Sequence, residues 1–125
     1  MIGIKDFIIS IILFSILVAV IIGNSLYIIK EVNILRDTVT SIPSIDSPDC
    51  QYFINSLRDR WHSFKKVARL SLNYAEINKM DCLIEEMDCH LSTQNNNDFE
   101  HTRVMILNLL GEIARLERLS ADGLF

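Results

Sequence analysis

Cysteine and histidine carry the most reactive chemistry available to this chain, and their spacing organises little of it. Cys50, Cys82 and Cys89 make an odd number, and no pair has the separation of a zinc or dithiol motif. Cys82 and Cys89 stand about 10 Å apart along one helix, too far for a disulfide. Three roles stay open for these thiols: small apolar residues at helix interfaces, a single disulfide from Cys50 to one of the others, or a metal site shared with His90 or His101. His62, His90 and His101 are scattered, and Cys89 and His90 point to different faces of a helix. No HExxH, glycine-rich phosphate loop or nucleophile elbow is present. The expectation is a protein that is not an enzyme, with no catalytic residue, no metal and no cofactor.

A second group of residues has the types that recognise partners. Trp61 offers a large amphipathic ring, as a core anchor or at the rim of a groove. Lys65, Lys66 and Arg69 continue a basic face begun by Arg58 and Arg60, which fits an acidic helix or anionic headgroups. Tyr74 and Glu76 sit at a turn, where a carboxylate at a helix N-terminus is favoured by the dipole. Phe125 ends the chain on an apolar tail that docks more readily than it stays free. These seven residues form the candidate interaction surface.

The elements that must position them begin with a membrane-spanning pattern. Residues 7–29 contain no charge, and Lys5, Asp6, Lys30 and Glu31 bracket them. At about 1.5 Å per residue this helix is about 34 Å long, enough for a hydrocarbon core of about 30 Å. The run is longer than the core of a secretory signal, which favours an uncleaved anchor. Gly23-Asn24-Ser25 still leaves open cleavage after Ser25, which would give a secreted protein starting at Leu26. Positive charges are nearly balanced across the run, and the short N-terminal tail suits a signal-anchor with the C-terminal part exported.

Beyond the membrane the pattern is helical throughout. Ile28, Val32, Leu35, Val39 and Ile42 form one stripe, so the span runs on as an amphipathic stalk to about Ser41. That stripe fits either the soluble domain or another copy of the chain. Ser47-Pro48-Asp49 predicts the start of a second helix, striped by Phe53, Leu57, Trp61, Phe64, Ala68 and Leu72. After a break near 72–75, a third helix is predicted over 76–92, with Ile77, Met80, Ile84, Met87 and Leu91 inward and an acidic outer face. Joined by a short turn, helices two and three would lie antiparallel, with their basic and acidic faces flanking the seam. Asn97 and Glu100 resemble a capping box that opens a fourth helix, running to about Leu119 with Ile106, Leu109, Leu110, Ile113 and Leu116 inward. Four glycines and two prolines leave few turns for a sheet.

The fold class is therefore all-α: one N-terminal transmembrane helix continuing into a stalk, then a small bundle of three further helices, arranged as two helical hairpins. The divisions are a tail over 1–6, a transmembrane helix over 7–29, a stalk and linker over 30–46, and an α-helical domain over 47–125. That domain is large enough for one small core. A net charge of −4 provides no footprint for nucleic acid.

Three local features resemble a family of small membrane-anchored proteins, mostly from clostridial spore-formers, described as domain of unknown function 4363. They are Trp61 followed by Lys65 and Lys66, the stretch Asn73-Tyr74-Ala75-Glu76-Ile77, and the ending Glu117-Arg118-Leu119-Ser120 through Leu124-Phe125. Tyr74 stands where relatives carry histidine, and Gly123 where they carry asparagine. The resemblance implies an anchored helical domain with no established activity, and a setting in sporulation.

These observations lead to a single-pass cell-membrane protein that presents an extracytoplasmic helical domain for protein–protein interaction or envelope scaffolding. Its partners would be the lipid bilayer through the N-terminal helix, and another envelope protein or a second copy. The alternatives are a sensor of a small molecule or of membrane state, with a cavity lined by Met80, Met87 and Met105, and the processed, secreted protein.

Overall fold

The computed structural model describes residues 3–69 and 71–122, without the side chains of residues 120 and 121. The expected break at Gly123 and the docked tail Leu124-Phe125 lie outside the described residues. Four helices account for the fold: α1 (Ile4–Ser41), α2 (Cys50–Ala68), α3 (Tyr74–Ser92) and α4 (Asn96–Asp122). The protein is all-α, with one long apolar N-terminal helix and a bundle.

The span and the stalk are one unbroken helix of 38 residues. Its surroundings change sharply along its length. From Ile4 to Asn24 the large apolar side chains stand in the open, with Ile4 81% and Phe14 67% exposed. From Ser25 onward one stripe is buried: Ser25, Ile28, Val32, Leu35 and Val39. The run read as 7–29 therefore divides, because its last turn already belongs to the bundle. The stalk stripe packs within its own chain.

The helices run up, down, up and down. Each packs on its neighbour in sequence, and α1 and α4 close the ring with the most extensive seam of all. Among the described residues the backbones of the two diagonal pairs stay apart. The two expected hairpins are present, but the closure that holds them together joins the first helix to the last. Trp61, Phe64 and Phe99 are the bulkiest residues of the core, with Ile54, Leu57, Met80, Ile84, Met87, Ile106 and Leu110 around them. Full burial of one such aliphatic or aromatic side chain stabilises by about 1.5–3 kcal/mol.

Several boundaries differ from expectation for local reasons. α2 begins at Cys50, because Ser44 to Asp49 form consecutive turns first, and the Ser47 hydroxyl accepts from the Asp49 N–H at 3.3 Å within them. α3 begins at Tyr74, where the Asn73 side chain accepts from the Ala75 N–H at 3.0 Å as an N-cap. The cap of α4 is Asn95, not Asn97: its side chain accepts from the Asp98 N–H at 3.2 Å and donates to the Asp98 carboxylate at 2.7 Å. The α3–α4 connection is tight because Gln94 adopts φ 54°. The Gln94 N–H then reaches the Leu91 carbonyl and the Asn95 N–H the His90 carbonyl, the double closure of a Schellman motif.

Leu116 was expected on the inner face of α4 but is 41% exposed, and Glu117 is buried in its place. Of the roles open to the thiols, a place at a helix interface fits Cys50, which is buried, and not Cys82 and Cys89, which are exposed. All three thiols are free. Burial, the largest influence, pushes the Cys50 thiol pKa up; the nearby Arg103 opposes this and Glu100 adds to it.

Candidate interaction surface

The seven candidate residues were read from α2, the following turn and the start of α3, with Phe125 at the far end. The described ones gather along the α2–α3 seam, but they do not play one role. Trp61 is core, 1% exposed, tilted against Phe64 with ring centroids 5.6 Å apart. Its indole Nε1–H donates to Asp81 Oδ1 at 2.6 Å. Burial of the ring is thus combined with a charged acceptor for its one polar group. Lys65 joins the same carboxylate, with Nζ 3.4 Å from both oxygens. Asp81, on the acidic face of α3, is the hub that ties Trp61 and Lys65 to that helix.

The charge match between α2 and α3 is built as expected for antiparallel neighbours. Arg58 Nε donates to Glu85 Oε1 at 2.9 Å, and Nη2 to Asp88 Oδ2 at 2.5 Å. These bonds, Asp88 first and Glu85 second, raise the pKa of the guanidinium further. Gln51 adds a bond to Asp88 at 3.2 Å near the far end of the seam. Partly exposed pairs of this kind contribute about 0.2–1 kcal/mol each and serve mainly to select the register.

Lys66 and Arg69 are exposed and form no ion pair among the described residues. Tyr74 is 75% exposed, and Glu76 is half-buried in the first turn of α3. Arg69, Leu72, Tyr74, Ile77, Asn78 and Asp81 line a cleft of about 550 Å³ at the α2–α3 turn. Phe125 lies outside the described residues. The structure therefore brings Arg69 and Tyr74 to one cleft, with Lys66 on the last turn of α2 before it, and removes Trp61 from the surface.

Against models of protein families, curated proteins and solved structures, the chain matches none.

The position of this cleft was not legible from the sequence. Asn24, at the end of the exposed apolar stretch, donates through Nδ2 to the Ser71 hydroxyl in the α2–α3 turn. One residue later, Ser25 Oγ donates to the buried Glu117 Oε2 at 3.0 Å. These two contacts fix which end of the bundle adjoins the apolar half of α1: the α2–α3 turn and the C-terminal end of α4. A signal existed in the stripes. Ser25 precedes Ile28 and Val32 on α1, and Glu117 follows Leu110 and Ile113 on α4, so two polar residues occupy the same end of two apolar faces.

At the opposite end Arg103 holds the chain together. Three residues after Glu100 on α4, it contacts that carboxylate at 3.0 Å. Its guanidinium also donates to the carbonyls of Val39 at 2.7 Å, Ile42 at 2.6 Å and Pro43 at 3.1 Å, and stacks 5.5 Å over the Phe99 ring. Carbonyls in the last turn of α1 and just beyond it, of which that of Val39 also accepts from the Ile42 N–H, thus find a cation from α4.

Among the described residues no three His, Cys, Asp or Glu side chains gather as a metal site. Met80 and Met87 are fully buried in core packing, whereas Met105 lines a separate surface cleft with Lys79, Asn108, Leu109 and Glu112. The three methionines do not line one cavity as expected for a sensor.

Proposed function

We propose that this chain is a single-pass membrane protein that holds a four-helix bundle at the outer face of the cell membrane, as a non-enzymatic module for protein–protein interaction or envelope scaffolding. The observation that carries this reading is the exposed apolar half of α1. Residues 4–24 display Ile, Leu, Val and Phe to the surroundings on nearly every side, and the bundle leaves them uncovered. Water would not tolerate such a surface, whereas a hydrocarbon layer would. At about 1.5 Å per residue the uncharged part of this stretch, residues 7–24, is about 27 Å long, close to the thickness of that layer.

An uncleaved anchor is favoured over a processed form by the Asn24–Ser71 and Ser25–Glu117 contacts, which cleavage after Ser25 would remove. The family resemblance adds a setting in the envelope of a spore-forming cell. The partner would be another envelope protein or a second copy, meeting the bundle on the faces that point away from the membrane.

The native cysteines provide the test. Cys82 and Cys89 are exposed and Cys50 is buried. In cells expressing the full chain, the protein should stay with membranes through carbonate extraction and have an intact N-terminus. A membrane-impermeant maleimide should label Cys82 and Cys89 without lysis, and Cys50 only after denaturation. A mature protein beginning at Leu26 would replace the anchor with secretion. Labelling only after lysis would put the bundle on the cytoplasmic side and end the envelope reading.

A further inference from the structure

We infer that the membrane-facing end of the bundle is a binding surface for anionic phospholipid headgroups, centred on the cleft beside Arg69. This inference rests on the membrane reading above and deepens it.

The geometry begins with the absence of a spacer. The uncharged exposed stretch of α1, residues 7–24, is about 27 Å long, no more than the hydrocarbon requires, and burial in the bundle starts at Ser25, the next residue. Asn24 is bonded to Ser71, so the α2–α3 turn sits at the level where α1 leaves the bilayer. α4 continues past Glu117 to Asp122, more than a turn further toward the membrane, and Val18 and Ile22 on α1 are half-buried at that level. The α2–α3 turn therefore lies within the headgroup layer. What this end of the bundle exposes suits that layer. Tyr74 is 75% exposed and Leu119 55%, an aromatic and an aliphatic residue at the depth where amphipathic rings collect. Lys66, Arg69 and Arg118 are exposed, each with a side chain long enough to reach a phosphate.

The opposing charges are few on the α2–α3 side. Asp81, at the inner end of the cleft, is already engaged by Lys65 and by the Trp61 N–H. Glu76 is half-buried, and Asp122 is exposed beside Arg118 on the far helix. On α1, Lys30 and Glu31 offset each other above Ser25. This leaves Lys66 and Arg69 as the local excess. The cleft of about 550 Å³ has Arg69 and Asn78 as donors and Leu72 and Ile77 as apolar wall, a lining matched to a phosphate with its glycerol attached.

The test uses the full chain in nanodiscs of phosphatidylcholine alone and of phosphatidylcholine with phosphatidylglycerol. Amide hydrogen exchange is followed in the peptide spanning residues 69–77. The anionic discs should slow that exchange by about fivefold, the factor expected for one cation at an anionic surface. Lys66→Glu/Arg69→Glu should remove the slowing, Lys66→Gln/Arg69→Gln should remove most of it, and Arg36→Glu, at the far end of α1, should keep it. Equal exchange in both discs overturns the inference, as does a slowing that survives both double variants in proteins of unchanged helix content. Slowing by inorganic phosphate added to neutral discs overturns the lipid as ligand in favour of a free anion. Failure of the chain to enter discs at all would instead overturn the membrane reading on which this one rests.

Discussion

Arg103 is the residue whose removal tests the bundle most directly. Among the described residues it is the only side chain of α4 that reaches the carbonyls at the end of α1 and the linker beyond, through Val39, Ile42 and Pro43. A hydrogen bond to a charged donor contributes about 1.5–3 kcal/mol. Three are made here, but they share one guanidinium and border a surface loop where water can replace part of the loss. Arg103→Met keeps the aliphatic stem over Phe99 and deletes every bond, so we expect a cost of about 2–4 kcal/mol. Arg103→Lys keeps the charge but not the fork, and a single ammonium reaches one or two of the carbonyls. About half the loss should remain. For a bundle of this size about 1 kcal/mol lowers the midpoint of thermal unfolding by about 4–8 °C. Circular dichroism of the full chain in mild detergent would resolve the order wild type, lysine variant, methionine variant. If the methionine variant unfolds within a degree or two of wild type, the closure of α1 on α4 does not depend on this cap, and the assignment of Arg103 is wrong.

Other outcomes follow from the same contacts. Trp61→Ala should destabilise the bundle by about 3–5 kcal/mol, and Trp61→Phe by about 1–3 kcal/mol, since the phenyl ring fills most of the space but leaves Asp81 with Lys65 alone; equal and negligible effects on unfolding would mean that Trp61 is not core. Gln94→Gly should stabilise by about 0.5–1 kcal/mol, because glycine adopts a positive φ without the Cβ penalty, even though the Gln94 side-chain bond to Leu91 is lost. A lower midpoint for that variant would contradict the Schellman geometry. Ser25→Ala should cost about 1–3 kcal/mol by leaving the buried Glu117 carboxylate without its hydroxyl donor, and the additional change Glu117→Leu should recover part of it.

What the amino-acid order determined by itself is what depends on neighbours a few residues apart. The apolar run, the stripes at steps of three and four, and the scarcity of glycine and proline require one long apolar helix and three amphipathic ones. Opposite charge on α2 and α3 sets their antiparallel register, because like charges would otherwise meet across the seam. Trp61 stands on such a stripe, which periodicity leaves either in the core or at the rim of a groove; only burial against Phe64 and the bond to Asp81 place it in the core. Tertiary structure decided everything that joins distant parts of the chain. The stalk stripe would fit any apolar face, and only the packing of α4 selects it. Arg103 carries an ordinary pairing pattern with Glu100, and nothing local shows that α1 will end beside it. Ser25 and Glu117 are 92 positions apart. Cys82 and Cys89 have the apolar character of interface residues, yet α3 turns them outward because its two seams, with α2 and α4, are already filled by larger side chains. Local geometry repeats every 3.6 residues and can be counted, whereas the choice among several matching faces is made by the sum of contacts across the whole bundle.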